Sequence, residues 1–354
     1  MAAPTMWSAT LPAGPRGTIA DVPGVTVGHC TLDAGAVQTG VTVVKPHAGD
    51  VYRSKAPAGA AVINGFGKSV GLVQVDELGV LDTPIALTNT FGVGAVAHAQ
   101  IRAAIAANPQ IGRDWPTVNP LVFECNDGYL NDLHAFAVGA SHYDDACRAA
   151  TRDVVRGALG AGRGMSCFDL KGGIGSASRI AAAAGRTYTV GALVLANFGR
   201  LPMLTLAGVP VGRIVTARAA APAAPPEQGS IIMLLATDAP LDARQLARLA
   251  RRAAAGLART GSVYGQGSGD IALAFSTAYT IAHDAQFVTL PALLADSVLD
   301  PLFQAAAESV EHAIVDALLQ AVTVTGRDGH VRQALRDAVP ELDRLLNEGP
   351  ATRS

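Results

Sequence analysis

The sequence predicts an α/β fold in which layers of sheet are covered by helices. Three observations predict it. Short β-branched or apolar runs alternate with helical segments along the 354 residues. Glycine accounts for 38 residues, about 11% against a usual ~7%, which supplies turns and close backbone approaches. Hydrophobic residues make up 49% and charged residues 16%, enough to bury a large core and incompatible with overall disorder.

The elements follow in chain order. Residues 25–27 and 41–44 are β-branched runs, and 60–63 is apolar ahead of the turn signal Asn64-Gly65. Residues 93–107 predict a helix behind Gly92. Residues 121–124 read as a strand that ends in the polar cluster Cys125-Asn126-Asp127-Gly128-Tyr129, and a helix is expected over about 140–158. Residues 188–190 and 192–195 are strand-like and lead into Asn197-Phe198-Gly199. The Ala/Pro-rich stretch 217–229, ARAAAPAAPPEQG, has no apolar period and reads as an exposed linker. Residues 230–237 form a fully apolar strand headed by a serine. Asp238 is expected to cap the next helix, with Pro240 in its first turn and Leu246, Leu249, Ala253 and Leu257 on its apolar face. Residues 271–276 are a further strand. A last helix over about 302–320 turns Phe303, Val310, Ile314 and Leu318 inward.

Composition excludes several functions. With 27 Lys+Arg against 29 Asp+Glu the net charge is −2, so no basic face for nucleic acid is indicated. The four cysteines form no CxxC pair, and no two of the eight histidines sit four apart on a helix, so no metal site is predicted. Residues 1–17 lack the basic and apolar regions of a secretory leader. No run of 18 apolar residues predicts a membrane helix, and a cytoplasmic protein is expected.

Three short motifs fail on context. Gly67-Lys68-Ser69 resembles the end of a phosphate loop, but Val62 stands where its first glycine belongs. Residues 67–71 also spell G-x-S-x-G. Gly65 and Gly71 make that segment a loop, however, where a nucleophile elbow needs a strand running into a helix. The run from Gly172 to Gly175 lacks the third glycine of a dinucleotide fingerprint.

Gly229-Ser230 is different in kind. Cleavage there would leave Ser230 as an N-terminus at the head of a buried strand. A hydroxyl needs a base to become a nucleophile, and a free α-amine, with an ordinary pKa of about 7.7–8.0, is one. A single residue then supplies both groups, and no histidine partner is required. The chain could cut itself: Ser230 Oγ attacks the Gly229 carbonyl, an N→O shift gives an ester, and water releases it.

The surrounding blocks strengthen this reading. They are DVPGVTVGH at 21–29, NGFG at 64–67, TPIALTNT at 83–90, ECNDGYLND at 124–132 and KGGIGSASR at 171–179. ANFG at 196–199, GSII at 229–232 and GSGD at 267–270 complete the series. In this order the chain resembles the self-cleaving DmpA-like N-terminal nucleophile hydrolases, the family of L-aminopeptidase D-Ala-esterase/amidase and β-peptidyl aminopeptidase.

The resemblance implies an αββα sandwich of the DmpA and ornithine-acetyltransferase kind. A single domain, 1–354, would be made of an α fragment, 1–229, and a β fragment, 230–354. It implies Ser230 as nucleophile and base, Asn197 as the oxyanion donor, and Ser268 and Asp270 beside the new amine, with Asp where some members carry Glu. Glu124 would face the substrate's ammonium, and Asn126 or Tyr129 would be a second donor. Lys171 and Arg179 are expected to be structural ion-pair members. The implied substrates are short peptides, amides or esters with a free amino group. No metal or cofactor is implied, and the assembly would be a homotetramer. Two alternatives stay open: a related amidase for nylon-oligomer or pantetheine-like amides, and an unprocessed binding protein of the same fold.

Overall fold

The computed structural model describes residues 10–219 and 229–348. Residues 1–9, read above for a leader, and 220–228, most of the expected linker, lie outside the described residues. Nine principal strands are Thr26–Ala34 (β1), Val37–Lys45 (β2), Ala58–Gly65 (β3), Ile85–Asn89 (β4), Val122–Cys125 (β5), Gly173–Ala183 (β6), Arg186–Asn197 (β7), Ser230–Thr237 (β8) and Gly269–Ser276 (β9). The principal helices are Leu72–Leu78 (α1), Val93–Ala107 (α2), Ala140–Arg148 (α3), Val211–Ala219 (α4), Ala243–Arg251 (α5), Ala253–Arg259 (α6) and Asp300–Gln320 (α7).

The strands form two sheets, ordered β1-β2-β4-β5 and β3-β9-β8-β7-β6. Three apolar layers separate four layers of structure. Val41, Val43 and Ala86 of the first sheet pack with Val96, Tyr143 and Ala146 of α2 and α3. Between the sheets, Val44, Leu87 and Phe123 meet Leu195, Ile232, Leu234, Ile271 and Leu273. On the far side, Ile231, Met233, Leu235, Ala272 and Ala274 pack against Leu246, Leu249, Leu257, Val310 and Ile314. The result is the expected αββα sandwich.

Strand β8 shows why residues 230–237 are uninterrupted by charge. Alternate side chains point to opposite faces, and both faces are covered here: 231, 233 and 235 by helices, 232 and 234 by the other sheet. Such a strand has no solvent side on which a polar residue could sit.

Three expectations are corrected. The helix expected over 140–158 stops at Arg148, because Thr151 exchanges both backbone hydrogen bonds with Val27 and ties the chain to β1. Asp238 does not cap the next helix. Its carboxylate accepts from the Thr189 N–H at 2.7 Å, and Asp242 caps instead by accepting from the Gln245 N–H, while Gln245 Oε1 accepts from the Asp242 N–H. The expected linker is not wholly linker: residues 217–219 end helix α4, and its last residue, Gly229, is buried.

Candidate active site

The site forms at one end of the five-stranded sheet, where β7, β8 and β9 lie side by side. Ser230 is the first residue of β8 and is 5% exposed. Antiparallel register sets it directly opposite Asn197, the last residue of β7. On its other flank, parallel pairing brings Ile231 opposite Asp270. The Ser230 hydroxyl accepts a hydrogen bond from the Gly269 N–H at 3.0 Å, which fixes the oxygen at this end of the sheet.

Asn197 is buried and held at both ends of its amide. Its Oδ1 accepts from Ser166 N–H at 2.8 Å, and its Nδ2 donates to the Asn126 carbonyl at 3.0 Å. An amide nitrogen carries two hydrogens, so one remains to aim at a developing oxyanion beside Ser230. The side chain is therefore oriented before any substrate arrives.

Ser268 and Asp270 are both fully buried, and the Ser268 hydroxyl donates to Asp270 Oδ1 at 2.6 Å. Spacing by two puts them on one side of the chain, as expected. Asn64 fixes this loop from β3: its Nδ2 donates to the Gly265 carbonyl at 3.0 Å and to that of Ser268.

Glu124 is 3% exposed near the end of β5, with Oε1 accepting from Lys68 N–H at 2.8 Å. A Cβ on Gly67 would stand 3.2 Å from the same oxygen, so the turn lies close over the carboxylate. An ionised carboxylate can accept several more hydrogen bonds, which suits it to receive an ammonium group.

Gly229 is needed for packing as well as chemistry. A Cβ there would come within 2.0 Å of the Asn197 carbonyl oxygen and 2.7 Å of Phe198 Cα. Only a residue without a side chain lets the backbone leading into Ser230 lie against the end of β7.

Asn126 and Tyr129 border the site differently from each other. Asn126 turns its Oδ1 to the Gly128 N–H at 2.9 Å and reaches Asn197 only through its backbone carbonyl. The turn takes up the side-chain oxygen, an acceptor. Tyr129 is half exposed and stacked on His330, with ring centroids 4.6 Å apart. It lines a cavity of about 530 Å³ that also meets Asn126, Asn197 and Gly229.

Two neighbouring cations were expected to be ion-paired. Arg179 is, with Glu308 at 3.5 Å. Lys171 is not: its fully buried ammonium donates to the carbonyls of Gly162, Met165 and Gly172 at 2.7–3.0 Å, and burial lowers its pKa to about 7. Nearby Asp127 is pushed by burial up to about 7. Among the described residues no group of three or more His, Cys, Asp or Glu side chains is arranged to hold a metal ion.

Sequence reasoning missed the donor to the Ser230 hydroxyl, because a backbone N–H such as that of Gly269 carries no residue signature. It also passed over Asn64, whose turn-like Asn-Gly context hid a cross-strand clamp.

Known proteins match this chain over almost its whole length. The pattern of Peptidase family S58 matches residues 17–332. The chain belongs to peptidase family S58. Among S58 relatives, the β-peptidyl aminopeptidase BapA of Sphingosinicella microcystinivorans is 39% identical over 359 residues, covering 95% of this chain and 89% of that protein. Among solved structures, the PH0078 protein from Pyrococcus horikoshii OT3 is 49% identical with a TM-score of 0.91, covering 96% of each chain. The L-aminopeptidase D-Ala-esterase/amidase from Ochrobactrum anthropi is 36% identical with a TM-score of 0.86, covering 96% of this chain and 98% of that one. That structure is described as a variant of the Ntn hydrolase fold, and the S58 chain described here shares that fold.

Proposed function

We propose that this S58 protein is a self-processing serine aminopeptidase and amidase that releases N-terminal amino acids from short peptides, amides or esters. The observation that carries the reading is the pairing of Ser230 and Asn197 across β7 and β8, with the Ser230 hydroxyl oriented by Gly269. Aminopeptidase and esterase/amidase names among its relatives support the same chemistry.

The chain first cuts itself. Ser230 Oγ adds to the Gly229 carbonyl, the C–N bond breaks to give an ester, and water cleaves that ester, leaving Gly229 as a carboxylate and Ser230 with a free amine. On substrate, the amine takes the hydroxyl proton as Oγ attacks the scissile carbonyl. Asn197 Nδ2 donates to the oxyanion. The leaving amine takes the proton, and water hydrolyses the seryl ester. Asp270, braced by Ser268, orients the new amine, and Glu124 receives the substrate's ammonium, which confines cleavage to the N-terminal residue. The working assembly is a homotetramer located in the cytoplasm. Among the described residues no helix is long and apolar enough to cross a membrane.

Purified wild type is expected to run as two bands on a denaturing gel, the smaller beginning at Ser230, and to release the amine from an aminoacyl anilide. Ser230→Ala should leave one uncut chain with no such activity. Anilide hydrolysis by the Ser230→Ala protein would overturn the mechanism. A wild-type chain that stays whole would favour a binding protein of the same fold.

A further inference from the structure

The cavity beside Asn197 and Gly229 has a pronounced charge that the steps above leave unused. Its walls include Arg200, Arg327 and Arg332 against one carboxylate, Asp169, whose Oδ2 already accepts the Leu201 N–H at 2.9 Å. Among the described residues, none of the three guanidiniums is paired with a carboxylate that lines the cavity. Arg332 lies 3.7 Å over the Tyr129 ring centroid, and its Nε donates to Ser166 Oγ at 3.1 Å. Both are uncharged partners that fix its direction. Arg327 donates Nε to the Gly128 carbonyl at 2.6 Å, and its one carboxylate partner among the described residues is the exposed Asp328. Arg200 Nε is buried with no hydrogen-bond partner among the described residues.

Placement gives this charge a meaning. Glu124 is held by the turn at 66–68, which follows β3 and covers Gly269 on the β9 side of Ser230. The arginine cavity opens on the opposite, β7 side, past Asn197. A carboxylate on one flank of the nucleophile and guanidiniums on the other match the two charged ends of a short peptide whose scissile bond lies between them. Guanidinium is also the side-chain group whose fork of N–H donors fits a carboxylate bidentately.

We propose that Arg332, with Arg200 and Arg327, binds the free C-terminal carboxylate of the substrate's leaving portion, making di- and tripeptides with an unblocked C-terminus the favoured substrates. The proposal rests on the aminopeptidase reading and adds a specificity subsite to it. The leaving amine departs carrying that carboxylate.

The test uses processed enzyme and two matched pairs, L-alanyl-L-alanine and β-alanyl-L-alanine, each against its C-terminal N-methylamide. Released alanine or alanine methylamide is quantified by chromatography. The free acids are expected to show about a tenfold to hundredfold higher kcat/KM, the range for charge-assisted hydrogen bonds. In Arg332→Gln, confirmed as processed on a denaturing gel, that ratio should collapse toward one. Equal kcat/KM for acid and methylamide in wild type overturns the subsite while leaving the aminopeptidase reading standing. An equal fall on both substrates in Arg332→Gln, with the ratio kept, assigns Arg332 a structural role and also overturns it. Hydrolysis of an aminoacyl anilide but of none of the four peptides rejects the subsite alone. Failure on anilide and peptides together rejects both readings.

Discussion

Asn197 shows how much of this site depends on a single side chain held from several directions. Its carbonyl oxygen and one amide hydrogen are taken by Ser166 and Asn126, so the remaining hydrogen has little freedom to point elsewhere. A donor fixed before the reaction has no reorganisation to undergo as charge develops. Asn197→Ala is therefore expected to lower kcat on an aminoacyl anilide by about 100- to 1000-fold, with a smaller change in KM. A fall confined to KM would move Asn197 from transition-state stabilisation to ground-state binding. The residue types at 124, 197, 230, 268 and 270 were legible in the sequence. The contribution of Asn126 was not, because it acts through a backbone carbonyl while its side chain closes a turn. Backbone donors and acceptors look the same in every residue, so only the folded geometry reveals which of them face the chemistry.

At the scale of elements, residue pattern fixed strands and helices where local forces dominate and failed where tertiary contacts do. Helix α2 begins and ends as its small apolar sequence predicts, behind Gly92. Helix α3 ends ten residues before the expected 158 because the chain is recruited back to β1, a pairing no local pattern encodes. Helix α7 is a further case. Its apolar residues face inward as expected, but Glu308 and Glu311 are buried too, paired with Arg179 and Arg259. The helix lies very close to β6, and Gly175 makes the approach possible. A Cβ there would sit 1.9 Å from the Ala313 carbonyl oxygen and 2.5 Å from Ala317 N. Gly175→Ala is expected to destabilise the fold by about 3 kcal/mol, since backbone on both sides must move apart. A thermal midpoint equal to wild type would show that the two elements can separate without cost.

For the whole molecule, burial of ionisable groups links stability to pH. Desolvation lowers His29 to about 4 from the ordinary 6.5. The unfolded chain therefore binds a proton at this position between those values while the folded chain does not. The stability that His29 contributes is present above pH 6.5 and is lost as pH falls toward 4. Asp127, raised to about 7, acts in the opposite sense, since the folded state keeps a proton that the unfolded state releases. Because several groups overlap, the informative quantity is a difference between variants. Relative to wild type, His29→Asn should gain thermal midpoint as pH is lowered from 6.5 to 4, by no more than about 3 kcal/mol of stability. A difference that stays constant with pH would mean that the imidazole titrates normally in the folded protein.

The sequence by itself determined the layered class, the apolar central strand with serine at its head, and the glycine before that serine. These follow from composition and from side-chain alternation, which are local. Tertiary structure alone decided that β8 runs parallel to β9 and antiparallel to β7, and so which residues flank Ser230. It also decided that Gly229 must be glycine because the end of β7 lies against it, and that Arg200 shares one cavity with Arg327 and Arg332 from far along the chain. Each of these depends on two backbones meeting, and the energy of that meeting belongs to neither segment alone.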